Sequence, residues 1–184
     1  LHAGLDAVHL RHHDIQNDEV KPPLSGKIKG RRAIIIRADV SKEEDVIRMI
    51  ETVDKEFGRL DILCNNAGVN SNRNIYDMTL EDWQRVQNTN ITGAFLCSKY
   101  AIPVMKRNHY GRIIMTSVTA QQGALFGQVH YASTKGAQQS FAKTLARTVA
   151  LDGITVNCVA PGTHMTETLH EILVNSDPHR LDAA

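Results

Sequence analysis

Tyr131-Ala132-Ser133-Thr134-Lys135 places a phenol and an ammonium four residues apart. On a helix that spacing puts both side chains on one face, one turn apart. An ammonium beside a phenol favours the phenolate, so the tyrosine pKa is expected to fall from about 10 toward working pH. Such a pair is a general acid/base for an alcohol oxygen. The same spacing on a solvated helix is an ordinary surface pair, so the surroundings must decide. Ser117 follows the apolar run at 112–115. A hydroxyl at a strand end either donates to a carbonyl oxygen as charge develops there or caps a turn. Asn90 lies in Asn88-Thr89-Asn90-Ile91-Thr92-Gly93, a polar amide in an otherwise apolar helical stretch. Its cost without partners points to a local distortion with a role. Asn65-Asn66-Ala67-Gly68 supplies small residues and amides after another apolar run, where a backbone either approaches a ligand closely or simply turns.

These groups need a scaffold, and four short apolar runs supply one, at 33–36, 60–64, 112–115 and 154–159, with a weaker fifth at 7–10. They do not alternate, as expected for strands buried on both faces of a parallel sheet. Between them lie helical patterns. Ser41-Lys42-Glu43-Glu44 reads as a capping box, followed by Val46, Met49, Ile50, Val53 and Phe57 at helical spacing, with Gly58 as a stop. Thr79-Leu80-Glu81-Asp82 reads as a second N-cap. A longer helix is expected over 91–108, bent or broken at Pro103. Ala137, Phe141, Leu145 and Val149 form the stripe of a last helix ending near Asp152-Gly153. Alternation of this kind predicts right-handed crossovers and a doubly wound parallel α/β sheet of the Rossmann type, in a single domain, with the strands at 33–37 and 60–64 adjacent and parallel. Ligands in such sheets bind beyond the carboxyl ends of the strands. Asp39-Val40, Asn65–Gly68, Thr116-Ser117 and Ala160-Pro161-Gly162 leave those ends.

Composition narrows the class. The 184 residues are 42% hydrophobic and carry a net charge of +1, with no basic patch of the kind nucleic acid requires. No apolar stretch approaches the roughly 18 residues that cross a bilayer. Cys64, Cys97 and Cys158 are separated and sit in apolar contexts, which predicts three buried, reduced thiols and a cytoplasmic protein. The nine histidines lack metal-ligand spacing, so no metal site is expected.

Taken together, Asp39-Val40, Asn65-Asn66-Ala67-Gly68, Asn90, Ser117, Tyr131-x-x-x-Lys135 and Asn157-x-x-x-Pro161-Gly162 stand in the order of the short-chain dehydrogenase/reductase family. The chain resembles the branch holding 3-oxoacyl-carrier-protein reductases and many sugar, polyol and steroid dehydrogenases, from about residue 31 to 168. The resemblance implies hydride transfer between a nicotinamide dinucleotide and a small carbonyl or secondary alcohol. It makes Tyr131 the acid/base, while Lys135 lowers its pKa and holds the nicotinamide ribose. It gives Ser117 the substrate carbonyl and Asn90 a water linking Lys135 to solvent. Asn66, Ala67 and Gly68 would line the cofactor, with Pro161 and Gly162 also cofactor-binding, Asp39 and Val40 would sit near the adenine, and Thr163 would bond the carboxamide.

Three departures qualify the match. The family's glycine-rich phosphate turn has no counterpart, because Gly4, Gly26 and Gly30 do not fit it. The chain stops at Ala184, where a substrate lid would continue. The stretch from Ser117 to Tyr131 is one residue longer than the usual spacing, within the loop at 121–128. The sequence is therefore read as incomplete at both ends, an ordered part of a longer polypeptide, with a degenerate, non-catalytic binding protein as the competing reading. Residues 6–11 resemble the second family strand, which places Arg11 at the position that reads the adenosine ribose. A guanidinium there puts NADP ahead of NAD, while Asp14 would serve an NAD ribose in a shifted register. A homodimer or homotetramer is expected through the helices at 91–108 and 131–150, whose Ala94, Ala101, Ala142 and Ala146 would face a neighbour or the sheet.

Overall fold

In a computed structural model, which describes residues 24–28, 31–118 and 127–162, the apolar runs and helical stretches alternate along the chain. Strands β1 (Leu24–Ile28) and β2 (Arg31–Ile35) come first, then helix α1 (Glu43–Phe57) and strand β3 (Ile62–Asn65). Helix α2 (Leu80–Gln87) passes through a π-turn at Asn88–Thr92 into α3 (Gly93–Arg107). Strand β4 (Gly111–Thr116), helix α4 (Val129–Val149) and strand β5 (Ile154–Val159) follow. The strands β3, β4 and β5 form a parallel sheet in that order, with Ile62 opposite Arg112 and Gly111 opposite Ile154. Helix α3 packs on β3 and β4, and α4 on β4 and β5. This parallel sheet flanked by helices is a Rossmann-type α/β fold.

The run at 33–36 does not behave as a doubly buried parallel strand. It belongs to β2, which pairs antiparallel with β1, and Ile35 is exposed. Nor does it lie beside β3. In the doubly wound order 3-2-1-4-5-6 the third strand is separated from the fourth by two others, so adjacency was the wrong expectation for these two runs. Strand β1 has no apolar periodicity, and only Lys29 and Gly30 separate the paired Ile28 and Arg31, a spacing that suits a tight hairpin. The run at 7–10 lies outside the described residues.

Helix ends follow local chemistry, with one correction. Thr79 Oγ1 accepts the Asp82 N–H and the Asp82 carboxylate accepts the Thr79 N–H, a full capping box. Gly58 closes α1 at φ 72°. Ser41, however, does not cap α1. Lys42 stands at the N-cap without a side-chain bond, and the Ser41 hydroxyl and N–H both donate to Asp39 Oδ1, at 2.7 and 3.0 Å. Held to Asp39, the Ser41 oxygen is not placed on the N–H groups of the first turn, where a cap would accept. Helix α3 does not break at Pro103, because Ala101 and Met105 beside it are wholly buried. Their packing offsets the roughly 3 kcal/mol a mid-helix proline costs.

The core gathers Val46, Met49 and Val53 of α1, Leu63 of β3, Cys97, Ala101 and Met105 of α3, and Ile113 and Met115 of β4. Gly93 lets α3 meet the chain leaving β2, since a Cβ there would stand 2.7 Å from Val40 Cγ2. Ala94, Ala101 and Ala142 are core residues, so they face the sheet and not a neighbour. Of the cysteines only Cys97 is buried. Cys64 is half-buried, and Cys158 is exposed because β5 is an outer strand of the described sheet.

Candidate active site

Because β3, β4 and β5 run the same way, their carboxyl ends share one edge of the sheet. At that edge lies a cavity of about 680 Å³ lined by Asn66 and Gly68 after β3, Ser117 after β4, Tyr131 and Lys135 of α4, and Pro161 and Gly162 after β5. Val40 and Ala67 line a separate, narrower crevice with Gly93. Asp39 is engaged by Ser41 and Asp45. Thr163 and Arg11 lie outside the described residues.

Lys135 is buried, and its ammonium donates to the Thr116 carbonyl at 2.6 Å. Its Nζ stands 5.4 Å from the centre of the Tyr131 ring. Burial pulls the Lys135 pKa from its ordinary 10.5 down to about 8. Burial also raises the Tyr131 pKa, against the expectation that Lys135 would lower it. The Lys135 ammonium is turned to the Thr116 carbonyl, and loss of solvation sets the direction for Tyr131. Ser117 is buried, donates to the Lys135 carbonyl at 2.9 Å and accepts from Gln139 Nε2 at 3.0 Å. Its single proton must leave the Lys135 carbonyl before it can serve a substrate oxygen.

Asn90 is wholly buried beneath the cavity, at the centre of the π-turn. Its Oδ1 accepts the Val69 N–H at 2.8 Å, and its Nδ2 donates to the Val69 carbonyl at 3.0 Å and to Thr134 Oγ1 at 3.1 Å. Gln138 Nε2 donates to the Asn90 carbonyl at 2.9 Å. Asn90 thereby ties α4 to the segment after β3. A Cβ on Gly68 would lie 3.3 Å from Asn90 Oδ1 and 3.9 Å from Lys135 Nζ, so glycine keeps that approach open.

A family model described as short chain dehydrogenase matches residues 3–176. The chain belongs to the short chain dehydrogenase family. It is 42% identical over 145 residues to a 3-oxoacyl-[acyl-carrier-protein] reductase of Synechocystis sp., covering 77% of this chain and 58% of that protein. It is 41% identical over 144 residues to glucose 1-dehydrogenase 2 of Bacillus subtilis, covering 77% of this chain and 56% of that protein. A 3-oxoacyl-[acyl-carrier-protein] reductase of Staphylococcus epidermidis is 39% identical over 151 residues, covering 80% of this chain and 62% of its own length. The chain thus spans less than two thirds of the length of the curated relatives it matches.

A cation at Lys135, a phenol at Tyr131 and the bare backbone of Gly68 meet at this one cavity. The sequence reading missed Val69, Ser71, Thr134 and Gln138. An ordinary helical polar residue gave no sign of Thr134 or Gln138, and Val69 and Ser71 follow the glycine in a stretch without periodicity. Among the described residues no helix is long and apolar enough to cross a membrane.

The depressed Lys135 pKa has a direct readout. With lysines labelled at Cε, one resonance is expected to titrate at about 8 and to vanish in Lys135→Met, while solvated lysines titrate near 10.4. The folded pKa lies below the unfolded one, so folding gains from this group above about 10.5 and loses that gain as pH falls through 8. A Lys135 resonance titrating above 10 would show that burial does not govern the group.

Proposed function

We propose that the full-length protein is an NAD(P)-dependent oxidoreductase that moves hydride between a nicotinamide and a small carbonyl or secondary alcohol. The observation that carries this reading is the convergence of Ser117, Tyr131 and Lys135 on one cavity at the carboxyl ends of three parallel strands. The nicotinamide, when bound, supplies or takes the hydride. In reduction Tyr131 gives its phenol proton to the carbonyl oxygen as charge develops there. Lys135, still mostly an ammonium at neutral pH, stabilises the phenolate that remains and holds the ribose. Ser117 orients the carbonyl once its hydroxyl turns from the helix. Asn66, Ala67 and Gly68 offer backbone to the cofactor, Pro161, Gly162 and Thr163 hold the carboxamide, and Asp39 and Val40 stand toward the adenine. Asn90 positions Lys135 and the segment after β3. The protein works as a homodimer or homotetramer in the cytoplasm.

The relatives' names cover acyl and sugar substrates, which fits a shared hydride step with different substrate walls. NADP is proposed as the working cofactor, through Arg11. Steady-state kinetics of the full-length protein with NADPH and NADH test both points. An NADPH preference of about tenfold, lost in Arg11→Ala, is expected for a guanidinium–phosphate contact. An NADH preference untouched by Arg11→Ala places the selecting residue elsewhere, and absence of turnover with either dinucleotide rejects the oxidoreductase reading.

A further inference from the structure

The cavity wall after β3 carries a polar pair that the hydride step does not use. Ser71 lines the same cavity as Tyr131, Ser117 and Lys135, and its Oγ lies 2.9 Å from Nε2 of His130. His130 immediately precedes Tyr131 on α4 and is wholly buried. The ring also meets the Gln128 backbone, a hydrogen-bonding contact that favours its protonated form. Burying an imidazole costs desolvation that an apolar side chain of similar size would not. What the imidazole gives in return is a fixed Ser71 hydroxyl. Neighbouring residues hold the same wall in place: Val69 pairs with Asn90, Asn72 Oδ1 accepts from Gln128 Nε2 at 3.0 Å, and the Arg73 N–H donates to the Gly127 carbonyl at 2.9 Å.

The chemistry of the pair selects its ligand. Burial holds the His130 pKa below its ordinary value, so the ring is neutral at pH 7. If Nε2 accepts, Ser71 spends its proton on the ring and offers lone pairs to the cavity. If Nε2 carries the proton, Ser71 offers its own O–H to the cavity instead. A substrate hydroxyl donates and accepts, so it satisfies either arrangement. A carbonyl or thioester oxygen only accepts, and an alkyl chain does neither. Asn70 and Asn72 line the cavity on either side of Ser71 and make the wall polar.

We propose that Ser71, held by the positioning residue His130, determines specificity by binding a hydroxyl of a polyhydroxylated substrate, a sugar or polyol, away from the reacting carbon. This rests on the oxidoreductase reading above. The test uses the full-length protein with a panel of aldoses and linear polyols, their singly deoxygenated analogues, and a small 3-oxoacyl thioester. Wild type is expected to turn over a member of the panel and to lose about tenfold or more in kcat/KM, mainly through KM, when one particular hydroxyl is removed. Ser71→Ala is expected to treat that substrate and its deoxy analogue alike, and to lose more on the sugar or polyol than on the thioester. His130→Gln, which keeps a polar partner for Ser71, retains the discrimination, and His130→Phe loses it. Indifference of the wild type to every deoxygenation overturns the proposal, as does undiminished discrimination in Ser71→Ala or an equal loss on sugar and thioester. Turnover of the thioester alone overturns it and leaves the oxidoreductase reading standing. Turnover of neither class, with either dinucleotide, overturns both.

Discussion

Tyr131→Phe in the full-length protein is expected to lower turnover by about 10²–10⁴-fold, the range a positioned general acid supplies, with dinucleotide binding little changed. The substitution removes one oxygen and leaves the ring, which lines the cavity and packs beside Lys135. Lys135 keeps its bond to the Thr116 carbonyl, so the cofactor-side cation stays in place. The direction of the tyrosine shift adds a pH signature. Burial raises the Tyr131 pKa, so the phenol holds its proton through neutral pH and beyond. Reduction, which consumes that proton, should be flat across neutral pH. Oxidation, which needs the phenolate, should climb as pH rises. Steady-state kinetics in both directions, with fluorescence titration of the dinucleotide, measure all of this. A variant that retains turnover, or a wild type whose oxidation falls as pH rises, would mean that another group carries the proton.

The sign of that shift marks a limit of sequence reading. Tyr131 and Lys135 were legible as a pair because helical spacing fixes their common face. Whether charge or burial wins depends on where the ammonium points and how much chain covers it, and spacing carries neither. The same division runs through the fold. Runs 60–64 and 112–115 became β3 and β4 as continuously apolar strands should, whereas run 154–159 became β5 with only Ile154 and Val156 buried, because it is an outer strand of the described sheet. The run at 33–36 has the same composition but a different partner, since strand order is a matter of topology and not of local pattern. Strand β1, Leu-Ser-Gly-Lys-Ile, had no pattern to read. Ser41 was misread as a cap because Asp39 competes for it, and the alanines of α3 and α4 were ambiguous because a helix stripe does not say which surface it meets. His130 gave no signal at all, since its burial follows from the path of residues 69–73 over α4.

Asn90 was legible in another way, as a misfit, and it leads to the second large effect. Asn90→Leu should destabilise the protein by about 2–5 kcal/mol and weaken dinucleotide binding along with it. Leucine matches the volume, so packing alone predicts little change. The loss comes from hydrogen bonds. The Asn90 amide makes a two-way pair with the Val69 N–H and carbonyl and adds a bond to Thr134. With leucine the half-buried Val69 N–H and carbonyl and the buried Thr134 hydroxyl lose this partner, and a buried polar group left without one costs about 1–3 kcal/mol. The π-turn at Asn88–Thr92 already gives up regular helical bonding, and it is stable only while Asn90 and Gln138 bridge it to its neighbours. Without the amide, the segment from Asn66 to Val69 loses its tie to α4, and the wall that meets the cofactor loosens. Urea unfolding with an unchanged m-value reads the stability term, and dinucleotide titration reads the second. A stability change within about 0.5 kcal/mol, the range of an ordinary surface substitution, would show that Asn90 holds nothing together, and the link drawn from π-turn to active site would fail with it.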